Sequence, residues 1–255
     1  MLGLGNSIIH GGVTEEVPFP LTVSSSSIQL WLRSGVGQTA AQWDDSSGND
    51  NHAVQSAGGD EPTPNTINGK GAMQFQESQG DHMDLTSDIT ADARAGLNIF
   101  IVMKLASVTQ NTIFGRTGET EDFLEIQSHK QLRFTFDDNT AEKIVYANNS
   151  LGNASAPFKA LYHFERTSGA NSGSGTNALI KTRIDGSDLT VSSYPSGSDG
   201  YDQGGVTINA IGSRNNDRFL DANVFDVLIY RNNTGSMSAD DIAGIENYLI
   251  NFHGL

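Results

Sequence analysis

Residues 97–103 read LNIFIVM, and this run decides the fold class. It is apolar on both faces that an extended strand presents, which predicts a strand in a sheet covered on each side. Shorter β-type runs extend from Ile28 onward, separated by turns rich in glycine, asparagine and serine. Leu132, Phe134 and Phe136 alternate with polar residues, which is typical of a half-buried strand. The pattern therefore predicts an all-β domain.

The connections support this interpretation. Asn68-Gly69 and Asp185-Gly186 are dipeptides that favour tight turns between strands. One helix is predicted, over residues 238–249. Ser238 can cap its N-terminus, and Asp241 occupies the capping-box position three residues later. The apolar positions of this helix fall on one face: Ile242, Ile245, Tyr248 and Leu249.

The composition narrows the function classes. The chain has 28 glycines and no cysteine, which excludes disulfides and thiolate chemistry. Its net charge of −15 disfavours nucleic acid and anionic membranes, so we expect no nucleic-acid partner and no membrane insertion. No second core and no linker interrupts residues 28–255, so we expect one domain there.

Residues 1–27 differ from the rest, with glycines, two prolines and a serine run but no sustained periodicity. We interpret them as an extended arm. The segment has no basic residue ahead of its short apolar part, which makes it a poor secretory signal. Its apolar side chains favour docking on a neighbour over a solvated tail. The residues expected to dock are Leu2, Leu4, Ile8, Ile9, Val17 and Phe19.

Two segments resemble the concanavalin-A-like lectin and glucanase superfamily, in particular its laminin-G-like branch. The first is WDDSSGNDNHA at residues 43–53, similar to the family's W-x-D-x-S-G-N-x-N-H-A opening. The second runs from Ile211 to the closing HGL and is similar to the family's last strands and final helix. The resemblance implies a two-sheet antiparallel jelly-roll sandwich with one short C-terminal helix. Residues 76–82 depart from it, because they replace the family's compact D-G-x-D-D loop.

The leader MLGLGNSI resembles the start of virion structural proteins of tailed cyanobacterial phages. This resemblance implies a non-enzymatic protein of the virion surface, either a capsid decoration or a tail or neck component. Its partners would be other virion proteins, bound through the arm, and host-surface glycans. Because many weak sites together gain avidity, we also expect a homo-oligomer. The alternatives are a cellular or secreted carbohydrate-binding module and, third, a glycoside hydrolase.

Catalytic residues are not predicted. The nearest match to a glucanase strand is residues 119–125, with Glu121 and Glu125 on one face. Their Cα atoms would stand about 13 Å apart along a strand, whereas retaining glycosidases hold their carboxyl groups about 5–5.5 Å apart. The family's middle carboxylate is also missing, so we expect an acidic, solvated strand face here.

A ligand site is expected in the polar loop after residue 191. Lectins of the resembled family use aromatic platforms with acidic or amide side chains in rim loops. The candidates are Tyr194, Tyr201, Asp199 and Asp202. The alternative is that both tyrosines pack onto the sandwich. Trp31 and Trp43 lie beside predicted strands and are expected in the core.

Calcium is the one metal that the sequence leaves open, and no other cofactor is expected. Two acidic loops could supply its oxygen ligands, Asp81 with Asp84 and Asp217 with Asp221. However, neither has the spacing of a D-x-D-x-D-G calcium loop. The six histidines also lack the spacing typical of zinc sites.

Overall fold

The structure, a computed structural model, describes residues 27–92, 95–107, 111–118, 123–127, 131–137, 142–147, 159–167, 180–189, 191–194, 205–232 and 236–255. Its elements, in chain order, are β1 (Ser27–Leu32), β2 (Gln42–Trp43), β3 (Ala53–Val54), β4 (Thr63–Ile67), β5 (Lys70–Phe75), a 3-10 turn (Glu77–Gln79), β6 (Met83–Ala91), β7 (Gly96–Leu105), β8 (Asn111–Gly115), β9 (Phe123–Gln127), β10 (Gln131–Asp137), β11 (Glu142–Ala147), β12 (Lys159–Arg166), β13 (Ile180–Ile184), β14 (Ser187–Asp188), β15 (Val191–Tyr194), β16 (Val206–Ile211), β17 (Ala222–Asn232) and α1 (Ala239–His253).

These strands form two antiparallel sheets that pack face to face. Sheet A has the order β14-β13-β12-β7-β17-β5-β4, with β1 also paired to β17. Sheet B has the order β15-β11-β10-β9-β8-β16-β6-β3-β2. A large apolar cluster from both sheets lies between them. The protein is thus a β-sandwich of the jelly-roll type with one C-terminal helix, which confirms the predicted fold class.

Strand β7 shows why this sequence forms a central strand. It lies between β12 and β17 in sheet A. Ile99 and Ile101 face the core between the sheets, whereas Phe100 and Val102 belong to a second cluster on the outer face. All four are fully buried. Burying a side chain of this size stabilises the fold by about 1.5–3 kcal/mol, so both faces of β7 contribute.

Both predicted tight turns are present. Asn68 and Gly69 have φ angles of 52° and 75°, and Asp185 and Gly186 have 48° and 75°. Two successive left-handed residues define the turn that matches the twist of paired strands. Each dipeptide accordingly joins two neighbouring strands of sheet A, β4 to β5 and β13 to β14.

The segment that resembles the family's opening is a tightly bonded structural turn. Trp43 is fully buried. The Asp45 carboxylate accepts hydrogen bonds from the backbone N–H groups of Trp31 (2.9 Å), Ser47 (2.8 Å) and Asn51 (3.0 Å). One side chain therefore satisfies donors of three separate positions and fixes the turn against β1.

Helix α1 begins and packs as the sequence predicts. The Ser238 hydroxyl accepts a hydrogen bond from the Asp241 N–H at 3.0 Å, and Gly254 closes the helix in a left-handed conformation. Ile242, Ile245 and Leu249 are buried on the outer face of sheet A. Tyr248, predicted on the same face, is only half-buried. No helix in the part of the chain that the structure describes is long and apolar enough to cross a membrane.

Two residues of α1 make polar contacts that were not evident from its apolar pattern. Glu246 accepts hydrogen bonds from Arg183 (2.9 Å) and pairs with the His163 ring at 2.9 Å. Farther along, the His253 ring lies 2.6 Å from the Asp226 carboxylate. Both helix residues are buried, so these pairs fix the position of α1 on sheet A.

Candidate functional site

The outer face of sheet B carries a buried group of polar side chains. Leu124 and Ile126 of β9 point into the core, so Glu125 between them faces outward. The strand register places Thr112 of β8 and Arg133 of β10 on either side of Glu125. All three are buried, with exposed fractions of 0%, 0% and 9% for Thr112, Glu125 and Arg133. Together with Thr135 and Arg218 they are here named the arginine–glutamate cluster.

Two arginines neutralise Glu125. The Arg133 Nη1 donates to one carboxylate oxygen at 3.1 Å, and the Arg218 Nη1 donates to the other at 3.2 Å. A buried carboxylate is costly unless such partners compensate its lost hydration. The expectation of an acidic, solvated strand face is therefore wrong for Glu125. The reason is that Arg218 arrives from a segment 93 residues away, which no local pattern reveals.

Arg218 lies in a loop whose backbone adopts an unusual, left-handed conformation. Asn215, Asn216 and Arg218 have φ angles of 50°, 55° and 54°, a region that non-glycine residues rarely occupy. The Thr112 N–H donates to the Arg218 carbonyl at 2.8 Å, which ties the loop to β8. Strained backbone of this kind persists only where surrounding contacts impose it, and it is common at binding sites.

The cluster contains hydrogen-bonding capacity that the protein itself does not use. The hydroxyl oxygens of Thr112, Thr135 and Ser213 are buried and have no hydrogen-bond partner. Thr112 and Thr135 lie on strands that flank β9, and Ser213, which is not part of the cluster, lies in the loop that carries Arg218. An unsatisfied buried hydroxyl costs about 1–3 kcal/mol, so such groups call for a functional account.

Two further arginines have backbones close to the cluster. Arg116 follows β8, and its carbonyl accepts from the Asn215 N–H at 3.2 Å, which brings Arg116 and Arg214 next to the Arg218 loop. The backbones of Arg116 and Arg214 thus lie beside Arg218, in a protein whose net charge is −15.

One of the four sequence-predicted ligand residues, Tyr194, lies at the far side of the same sheet. The backbone of Tyr194 ends β15 and pairs with Ile144 of β11, which in turn pairs with Thr135. Tyr194 thus occupies the same cross-strand row as a member of the cluster, two strands away. Asp199, Tyr201 and Asp202 lie outside the described residues, and their role stays a prediction.

The residues predicted for arm docking also lie outside the described residues, so that prediction is likewise untested. They are Leu2, Leu4, Ile8, Ile9, Val17 and Phe19. The described chain starts at Ser27, which the sequence assigned to the arm and which is the first residue of β1.

The four aspartates proposed for calcium have separate structural roles. Asp81 is buried and accepts from the Gln76 N–H at 2.9 Å, and burial raises the pKa of its carboxyl group. Asp84 accepts from the Thr117 hydroxyl at 2.7 Å. Asp217 lies in an exposed turn, whereas burial raises the pKa of Asp221. Within the described ranges, no group of three or more acidic or histidine side chains is placed to hold a metal ion.

Sequence reasoning missed most of the cluster. Arg133 could have been found, because it alternates with the apolar residues of β10 and therefore had to face outward. Thr112 and Arg218 carried no comparable signal. Their importance arises from cross-strand register and from loop closure, and both are tertiary properties.

The fold has counterparts among solved structures. The binding domain of Paraclostridial mosquitocidal protein 1 superposes with a TM-score of 0.57 at 10% identity, over 87% of this chain and 53% of that one. The binding domain of botulinum neurotoxin serotype D gives 0.55 at 14% identity, over 91% and 53%. These likenesses show a shared fold. The chain spans about half the length of the two toxin domains. It matches no protein-family profile and no curated protein.

Proposed function

We propose that this chain is a non-enzymatic, lectin-like binding domain whose ligand surface is the outer face of sheet B. The observation that carries the proposal is the arginine–glutamate cluster, in which a buried carboxylate holds two arginines in place and 29% of the Arg218 side chain stays exposed. Preorganised polar groups of this kind give a glycan fixed hydrogen-bonding partners at low entropic cost. The similar toxin structures are themselves binding domains, which supports a binding role.

A binding role fits Glu125 better than a catalytic one. Each of its carboxylate oxygens accepts from an arginine, and its side chain is fully buried. A glycosidase carboxyl group has to direct an oxygen at the substrate, as acid, base or nucleophile. Glu125 instead orients Arg133 and Arg218. Its task in this proposal is to position two cations.

The ligand class follows from charge. In a protein of net charge −15, the two arginines that Glu125 holds at this face are the feature that would attract an anion. Arginine pairs well with carboxylate groups because its planar fork can donate two parallel hydrogen bonds. Arg218 has 29% of its side chain exposed and is the member best placed to do so. We therefore assign an acidic glycan, one that carries a carboxylate sugar, as the ligand.

The test compares two arginine variants on matched acidic and neutral glycans. Arg218→Ala should weaken binding to the acidic glycan about tenfold or more, because a charged hydrogen bond contributes about 1.5–3 kcal/mol. Arg183→Ala is the matched control, since Arg183 is similarly exposed (26%) and pairs with a buried glutamate under α1. Arg218→Lys should retain only part of the affinity.

Isothermal titration calorimetry with sialylated and desialylated forms of one oligosaccharide measures these differences. Melting temperatures recorded alongside identify any variant that has lost its fold. Equal affinity for both forms, or equal losses in Arg218→Ala and Arg183→Ala, would contradict the proposed surface.

We further propose that this chain is located on a phage virion. It is supported by the leader MLGLGNSI and by the apolar character of residues 1–27. Mass spectrometry of purified particles should detect this chain, and its copy number separates capsid decoration from a tail or neck component. Deleting residues 1–22 should abolish attachment to the particle and leave the sandwich folded. Unchanged attachment would remove the arm from the proposal.

A further inference from the structure

A second recess lies at the edge of sheet A, away from the arginine–glutamate cluster. It is formed by the loop after β1, strand β4 and the start of β5, and its volume is about 500 Å³. This size is within the range of small-ligand sites. The lining residues are Gly35, Gly37, Gln38, Thr39, Pro64, Asn65, Thr66 and Gly71.

The lining of this groove is uncharged, although the chain is strongly acidic. Its polar members are amides and hydroxyls, which both donate and accept hydrogen bonds. The Gln38 Oε1 accepts from the Gly35 N–H at 3.1 Å, which fixes the orientation of the amide. The Gln38 Nε2 on the same amide is buried and has no partner. The protein itself thus leaves one amide N–H of a lining side chain unsatisfied.

Two glycines of the groove, Gly71 and Gly37, leave no room for a side chain. A Cβ atom on Gly71 would come within 2.5 Å of the Gly35 backbone and 2.7 Å of the Gln38 Oε1. A Cβ on Gly37 would collide with the Asp44 side chain. Gly35 also has a left-handed φ of 72°. Close backbone contacts of this kind give the recess a preformed shape.

The neighbouring strand edge argues against an extended peptide as the occupant. β4 ends the strand order of sheet A, so one side of its backbone is open to pairing. However, Pro64 lies within β4 and has no N–H to donate to an added strand. Side-chain hydroxyls and amides, rather than the strand backbone, are what the groove offers.

We propose that this groove is a second binding site, specific for an uncharged, hydroxyl-rich ligand of the neutral saccharide class. Its amide and hydroxyl lining matches ligand hydroxyls, and the Asp44 carboxylate beside Gly37 disfavours an anion. The site is independent of the proposed sheet B surface, and either one can hold without the other.

The experiment is an amide NMR titration of the full chain with three uncharged trisaccharides: maltotriose, cellotriose and xylotriose. We expect at least one to shift signals of residues 35–39, 63–67 and 71, and Gln38→Ala to weaken that binding fivefold or more. Arg218→Ala should leave the same shifts unchanged, which separates this site from sheet B. Asn209→Ala, also on sheet B, is a second control variant, and it too should leave the shifts of the groove signals unchanged.

Three outcomes would overturn the proposal. They are no response of the groove signals to any of the three sugars, shifts that persist unchanged in a folded Gln38→Ala variant, and shifts of residues 63–67 caused by an extended peptide but by no sugar. The last result would make the β4 edge a strand-addition site.

Discussion

The outer faces of the two sheets are covered by different kinds of residues. On sheet A, the outer face is apolar, and α1 covers it with Ile242, Ile245 and Leu249. On sheet B, the outer face carries Glu125 between two arginines, and the described cover is a strained loop. Both faces bury glutamates in arginine contacts, because Glu246 under α1 pairs with Arg183.

The difference shows how one architecture separates stability from binding. The apolar face removes surface from water and completes the core. The polar face keeps charged groups near the surface in a fixed geometry, which a ligand can use. If this comparison is correct, disruption of either face should lower stability, and only disruption of sheet B should alter binding.

The largest expected effect comes from Glu125→Gln. It leaves Arg133 and Arg218 without their shared carboxylate, and breaking a buried ion pair from one side costs about 3–5 kcal/mol. Urea unfolding followed by circular dichroism measures this free energy. Asp188→Asn is the control, because Asp188 pairs with Arg183 while 74% of its side chain is exposed. A cost below about 1 kcal/mol for Glu125→Gln would place the cluster among ordinary surface pairs.

Leu249→Ala tests the apolar face. Leu249 is fully buried under α1, and truncation of a buried leucine costs about 3 kcal/mol. We expect this loss in urea unfolding, together with unchanged glycan affinity under conditions where the variant is folded. Asn251→Ala, at an exposed position of the same helix, should change stability by less than about 0.5 kcal/mol. A fall in affinity with Leu249→Ala would show that the two faces are coupled.

A smaller effect is expected from Ser238→Ala, which removes the N-cap of α1. The Ser238 hydroxyl accepts the Asp241 N–H, and loss of such a cap costs about 1 kcal/mol. Ser238→Asp should restore the stability, because aspartate caps equally well. The melting temperatures of the three proteins rank these effects. No difference between serine and alanine would show that packing alone defines the start of α1.

The smallest expected effect on stability at neutral pH comes from the protonation of His163, and this effect grows as the pH falls. Burial lowers the pKa of His163 below its ordinary value of about 6.5, although Glu246 and Glu165 favour the charged ring and Arg183 opposes it. The unfolded chain therefore binds a proton more readily than the native protein below pH 6.5. Stability should accordingly fall as the pH decreases from 6.5 toward the native pKa, and the contribution vanishes above 6.5.

Urea midpoints at pH 7.5, 6.5 and 5.5 measure this slope for the native protein and for His163→Gln. The substitution retains a polar side chain and removes the titration, so its stability should decline less steeply. Parallel slopes for the two proteins would contradict the role given to His163.

Local patterns in the sequence were sufficient for much of the fold. The LNIFIVM strand, the two turns with left-handed dipeptides and the capped helix each depend on neighbours within a few residues, and each was predicted correctly. The site was predicted less well. Glu125 was noticed, yet it was expected in solvent, because its partner Arg218 is distant in sequence.

Alternation and turn chemistry thus determined from the sequence alone that this chain is all-β with a C-terminal helix, whereas the two-sheet sandwich was implied by the family resemblance. Alternation and turn formation are short-range effects of backbone geometry and side-chain hydrophobicity. Only the tertiary structure decided which polar residues meet. Register aligned Thr112, Glu125 and Arg133 across three strands, and loop closure added Arg218. Contacts between strands and loops distant in sequence leave no periodic signal, and the candidate binding surface is made of such contacts.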